Sequence, residues 1–162
     1  MSASTHTISL LIENQSGSLS RVAGLFSSRG YNISSLTVAE TDDPSVARMT
    51  IVTSGDDDIL EQIVKQLNKL IDVIKVIDFI EDLIIERELL LIRIDSTKSS
   101  RHEIIELANL FKAGIASVSP TSVTLEFMGT KQQVDDLITM LKPHGIKETV
   151  RSGAVAVAKA RK

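Results

Sequence analysis

The chain has no cysteine and no tryptophan, only three prolines in 162 residues, and aromatic side chains at 3%. Without cysteine there is no disulfide, no thiolate nucleophile and no thiolate metal centre. That usage suits a reducing compartment, and a cytoplasmic location is expected. The aromatics are Phe26, Tyr31, Phe79, Phe111 and Phe127, too few for the stacking platform that holds single-stranded nucleic acid. Positive charge is not in excess either. The formal net charge is -3, so no basic field draws a phosphate backbone. Long apolar runs are missing as well: the most apolar stretch, from Leu83 to Ile94, is broken by Glu86, Arg87 and Glu88, and is too short and too charged to span a bilayer. Residues Met1 to His6 carry neither a basic segment nor an apolar run, so no signal peptide is expected. Neither nucleic acid nor membrane is expected as a partner.

What is present is the balance of an ordinary globular protein, 43% hydrophobic and 24% charged. The length allows one large domain or two small ones, and the hydrophobic periodicity favours two. Residues 7–12 alternate, with Ile8, Leu10 and Ile12 on one side, as a half-buried strand does. Asn14-Gln15-Ser16-Gly17-Ser18 reads as a loop leading into a helix, with Leu19, Val22, Ala23 and Phe26 at helical spacing and Gly30 as a stop. Strands are expected at 33–40 and 46–53 around the turn Thr41-Asp42-Asp43-Pro44-Ser45. A second helix follows Asp56, with Ile59, Ile63, Leu67 and Leu70 as its stripe, and a fourth strand runs from Val73 to Phe79.

The same order recurs. A strand spans 87–95. A helix starts at a capping box of Ser100 and Glu103, carries Ile104, Ala108 and Phe111, and stops at Gly114. A hairpin follows at 115–128, then a second capping box at Thr130 and Gln133 ahead of Val134, Leu137, Ile138 and Leu141, and a last strand at 146–151. The expected class is therefore α+β: two ferredoxin-like βαββαβ domains, residues 1–80 and 81–162, each an antiparallel sheet with helices on one face. The other face of the first sheet, with Ser9, Leu11, Arg48, Thr50 and Val52, is too apolar to stay wet and is expected to be covered by a partner. The small, basic tail 153–162 is expected to be poorly ordered.

Catalytic constellations are poor. His6, His102 and His144 have no second ligand at helical spacing, and Asp56-Asp57-Asp58 are the acids a helix start prefers. There is no phosphate-binding glycine loop with a lysine and no nucleophile elbow. The most informative segment is the first strand-to-helix loop. The leading N–H groups of the helix, near Ser18 and Leu19, have no partner in the helix and can hold a carboxylate. Gly17 permits a positive φ and a close approach, and Asn14 offers both a donor and an acceptor. The set suits a ligand with a carboxylate and an ammonium, although spacing alone reads first as a tight, capped connection with no ligand.

The residues of that loop carry a resemblance. Leu11-Ile12-Glu13-Asn14-Gln15-Ser16-Gly17-Ser18-Leu19-Ser20-Arg21-Val22 resembles the start of an ACT domain. Continued through Gly30-Tyr31-Asn32-Ile33 to Val38, it resembles the small regulatory subunits of acetolactate synthase. Thr41 to Pro44, Arg48 to Ile51, Gln62 to Leu70, Glu86-Arg87-Glu88-Leu89 and Arg151-Ser152-Gly153 agree with that family too. The resemblance implies a chain with no catalysis of its own. It implies a large catalytic subunit as partner, activation of that subunit, and feedback inhibition by a branched-chain amino acid, usually valine. Thiamine diphosphate, Mg²⁺ and FAD are implied for the large subunit, not for this chain. A homodimer joined through the ACT domains is implied, with the effector where they meet, on Asn14, Gly17, Ser18 and Leu19 from the loop and Asn32 and Ile33 from the second strand. An ACT sensor regulating some other target is the alternative.

Overall fold

The alternating residues at the start of the chain form β1 (Ser4–Glu13), and the loop after it leads into α1 (Ser18–Ser28). The computed structural model describes residues 4–79 and 83–160. After α1 come β2 (Ile33–Glu40), β3 (Val46–Gly55), α2 (Asp57–Leu67) and β4 (Val73–Asp78). The strands lie in the order β2-β3-β1-β4, antiparallel throughout. The order repeats as β5 (Ile84–Asp95), α3 (Ser100–Phe111), β6 (Gly114–Val118), β7 (Ser122–Gly129), α4 (Lys131–Leu141), a 3-10 turn (Lys142–His144) and β8 (Ile146–Arg151), in a sheet ordered β6-β7-β5-β8. Both are ferredoxin-like βαββαβ units, as the periodicity predicts.

Each unit has its own core. In the first, Ile8, Leu10 and Ile12 of β1 and Ala47, Met49 and Ile51 of β3 meet Val22 and Phe26 of α1 and Ile63 and Leu67 of α2. Leu10 and Met49 face each other across the ladder and are fully buried, each stabilising the fold by about 1.5–3 kcal/mol. In the second, Leu90, Ile92 and Ile94 of β5 meet Ile104 and Ala108 of α3 and Val134, Leu137 and Leu141 of α4. There Arg151 makes a bidentate pair with the buried Glu88, at 2.6 and 2.8 Å, and reaches Asp135 at 2.7 Å. This explains Glu88 and Arg151, one charged residue from each of the Glu86–Leu89 and Arg151–Gly153 segments.

The helix starts divide. Asp56 accepts from the Ile59 N–H at 2.9 Å, and Thr130 with Gln133 forms the expected capping box. The capping box expected at Ser100 and Glu103 does not form. The Ser100 hydroxyl is taken by the Thr97 N–H and Oγ, and the residue before the helix is Ser99. Gly114 is not the stop of α3. Lys112 takes the left-handed conformation, φ 58, the Ala113 N–H closes on the Ala108 carbonyl at 2.8 Å, and Gly114 opens β6. Leu19, expected on the buried stripe of α1, is 45% exposed.

The tail differs most from expectation. Val155–Ala158 form a strand, β9, which pairs with β5. The chain divides into Met1–Ile85 with Ala154–Lys162, and Glu86–Gly153. The tail thus groups with the first unit, and the expected boundary at 80/81 lies outside the described residues. The Ala154 N–H donates to Ser35 Oγ at 3.0 Å, and Lys159 N–H to the Leu83 carbonyl at 2.7 Å. Val155 and Ala156 line a cavity of about 410 Å³ with Thr37, Ala39, Arg48 and Thr50. The outer sheet face is therefore not bare: Ser9, Thr50 and Val52 are buried, and Arg48 Nη1 donates to Ser9 Oγ at 2.9 Å. Small alanines at 154 and 156 let the tail backbone approach the sheet, which is why a segment that looks featureless by composition is ordered.

Candidate functional site

The loop from Glu13 to Ser18 is short because β1 ends directly below the start of α1. Gly17, at φ 88, makes the turn in the left-handed region that glycine enters without a Cβ penalty. Its position has a second constraint. A Cβ added there would sit 2.9 Å from Arg21 Nη1, since the Arg21 side chain folds back over the first turn. The first helical bond runs from the Arg21 N–H to the Gly17 carbonyl at 2.9 Å. The Leu19 and Ser20 N–H groups precede it and have no partner within the helix, and among the described residues no side chain caps this end. Ser18 N–H reaches the Gln15 carbonyl at 3.2 Å. Ser18 itself is 2% exposed, and its Oγ lacks a hydrogen-bond partner among the described residues. A buried hydroxyl left unpaired costs about 1–3 kcal/mol.

Both flanks of the loop are held. On one side Asn14 clasps the β2–β3 turn: its N–H donates to the Ser45 carbonyl and its Nδ2 to the Pro44 carbonyl, both at 2.8 Å. That turn is set by Asp43 Oδ1, which accepts from the Ser45 N–H and hydroxyl. Asn14 thus spends its amide donor on the fold and keeps its carbonyl oxygen. On the other side stands Asp72, just before β4, with a side chain 3% exposed. It takes the Arg21 Nε–H on Oδ2 and the Gln15 Nε2–H on Oδ1, the latter at 2.9 Å, while its own carbonyl accepts the Glu13 N–H at 2.8 Å. Gln15 Nε2 also reaches Glu13 Oε2 at 2.7 Å. The Arg21 guanidinium holds the Asp72 carboxyl below the usual carboxylate range, with burial opposing and Gln15 assisting. A depressed carboxyl contributes stability that is complete above its unfolded value of about 3.9 and fades as pH falls through its folded value. The clamp is therefore intact from neutral pH down to about 4.

The expected site residues fall into two groups. Asn14, Gly17, Ser18 and Leu19 lie together on the loop and first turn. Asn32 and Ile33 do not join them within one chain. Ile33 pairs with Thr53, which pairs with His6, whereas the loop follows Glu13. Seven strand residues separate the two levels, about 23 Å at 3.3 Å per residue. Asn32 is exposed, with its carbonyl taken by Thr53 Oγ1 at 2.7 Å, and Ile33 is half-buried against the core. Sequence reasoning missed Arg21, Gln15 and Asp72 as a unit. The available signal was Asp72 itself, an acid set between Ile71 and Val73, which once buried requires a cation.

Among the described residues no group of three or more His, Asp or Glu could hold a metal ion, and no helix is long and apolar enough to cross a membrane.

Two family models account for both units. The ACT domain of the type found in acetohydroxyacid synthase small subunits matches residues 8–75, and the small subunit of acetolactate synthase matches 87–160. The chain belongs to the acetolactate synthase small subunit family. It is 50% identical over 156 residues to the acetolactate synthase small subunit of Haemophilus influenzae, covering 96% of each chain. It is 48% identical over 155 residues to that of Mycolicibacterium smegmatis, covering 96% of this chain and 91% of the relative. The crystal structure of the small subunit from Thermotoga maritima superposes with a TM-score of 0.91 at 35% identity, over 98% of this chain and 99% of the other. A small subunit of acetolactate synthase implies a large catalytic partner, and in this family the first unit is the ACT regulatory domain.

Proposed function

We propose that this small subunit binds the large catalytic subunit of acetolactate synthase, raises its activity and makes it subject to feedback inhibition by valine. Family membership over both units carries the regulatory role. The thiamine diphosphate, Mg²⁺ and FAD of the reaction reside on the large subunit, and this chain supplies no reacting group. The β1–α1 loop supports the effector reading. It presents unpaired helix N–H groups, a glycine whose missing side chain leaves that face to the Arg21 guanidinium, the Asn14 carbonyl oxygen, and an exposed Leu19 beside them. An amino acid needs those features: anion binding for its carboxylate, an acceptor for its ammonium and an apolar wall for its side chain.

The separation of Asn32 and Ile33 from the loop within one chain supports a two-chain site. β2 stands at a sheet edge and has neither Lys nor Pro, the usual guards against strand pairing. A two-fold axis beside β2 sets the partner's copy antiparallel. Ile33 of one chain then lies level with Glu40 of the other, and so at the loop end of that sheet. We propose a homodimer joined edge to edge through β2, with two equivalent effector sites. Each takes the loop from one protomer and Asn32 with Ile33 from its partner.

The test is co-purification of the tagged chain with the large subunit, alongside pyruvate consumption by each alone. The two are expected to co-elute, and this chain alone is expected to consume no pyruvate. Pyruvate consumption by this chain alone, or failure to associate, overturns the proposal.

A further inference from the structure

The electrostatics of the loop pose a problem for the ligand proposed above. A carboxylate bound at the start of α1 must approach two carboxylates of the protein itself. Asp72 is almost fully buried and Glu13 is tied to the same Gln15 amide. The helix terminus offers only about half a positive charge. Arg21 is the cation that meets this cluster, and its geometry divides its donors. Nε is committed to Asp72. Nη1 sits 2.9 Å from the point where a Gly17 side chain would begin, on the ground the ligand must occupy. The Arg21 side chain is 46% exposed, so the outer part of the fork remains open while the inner part is fixed.

We infer that Arg21 is the effector's carboxylate-binding residue, with Asp72 as the positioning residue that holds the guanidinium over Gly17. This rests on the effector reading proposed above and extends it. The planar fork matters because one donor grips Asp72 while the others face the ligand, a division that a lysine ammonium on a flexible stem does not reproduce. It also explains the glycine. Any side chain at position 17 meets Arg21 Nη1 and displaces the guanidinium.

The experiment compares L-valine with L-valinamide, which keeps the ammonium and the side chain and lacks the carboxylate charge. Binding is measured by calorimetry on the full-length chain as wild type, Arg21→Gln and Arg21→Lys, with ligand-free melting as the check on folding. Wild type is expected to prefer valine over valinamide by about tenfold to a hundredfold, the value of a charged hydrogen bond. In Arg21→Gln that preference is expected to fall severalfold, to what the N–H groups at the start of α1 supply on their own, and in Arg21→Lys to be intermediate. A merely structural role would weaken both ligands alike and keep the ratio. A folded Arg21→Gln with the wild-type ratio overturns the assignment. If Arg21→Gln does not fold, Arg21→Lys decides, and a ratio equal to wild type overturns it. A wild-type chain that binds no valine overturns the effector reading and this one together. Wild-type binding with no preference for valine over valinamide overturns only the role of Arg21.

Discussion

Gly17→Asp is expected to abolish valine inhibition of the reconstituted enzyme while the chain still raises the activity of the large subunit. Three effects combine at this position. The residue sits at φ 88, where a side chain is strained by about 1–2 kcal/mol. The new Cβ would lie 2.9 Å from Arg21 Nη1, so the guanidinium must move. The added carboxylate stands where the effector's carboxylate is proposed to bind, and a close like-charge contact costs several kcal/mol. Together they are expected to weaken valine by about two orders of magnitude or more. Gly17→Ala separates the causes, since it keeps the strain and the clash and omits the charge, and its loss is expected to be smaller. The valine response is read from inhibition curves, and the rate without valine reports on folding and assembly. Full valine sensitivity in Gly17→Asp would place the effector site elsewhere.

The second large effect is rescue between chains. Asn32→Ala is also expected to lose the valine response, because it removes a polar group of the effector site. If each site joins the loop of one protomer to Asn32 of its partner, the two damaged chains complement each other. A mixed dimer of Gly17→Asp and Asn32→Ala has one site with both changes and one site with neither. Random exchange makes about half of the dimers mixed under two-fold pairing. Valine inhibition, absent from either variant alone, is therefore expected to return in part on mixing. The check is an inhibition curve before and after the two preparations are unfolded and refolded together. No recovery, with mixed dimers demonstrated by differently tagged chains, would mean that the site lies within one protomer.

Much of this architecture was legible in periodicity. The alternation in β1 and the apolar stripe of α2 gave the first unit, and the bounds of β2 and β8 agree with expectation to the residue. Thr130 and Gln133 formed their capping box, each side chain bonded to the other's backbone N–H. Ser100 did not, because Thr97 lies within reach of its hydroxyl. The tail was illegible for a different reason. Its order depends on packing over a sheet more than a hundred residues earlier in the chain, as the bond from Ala154 to Ser35 records, and no local pattern carries that. The loop showed the same limit. Gly17 and Asn14 stand out by residue type alone, whereas Arg21 looks like any surface arginine on a helix. Its role becomes visible only when Asp72, fifty-one residues away, is seen beneath it.

The most direct test of the account is the rate of acetolactate formation by the purified large subunit alone, with this chain, and with this chain plus L-valine. The account predicts a rate that rises on adding the chain and falls on adding valine, with the large subunit alone much less sensitive to valine. A rate unchanged by the chain, or a valine response just as strong without it, would contradict the account.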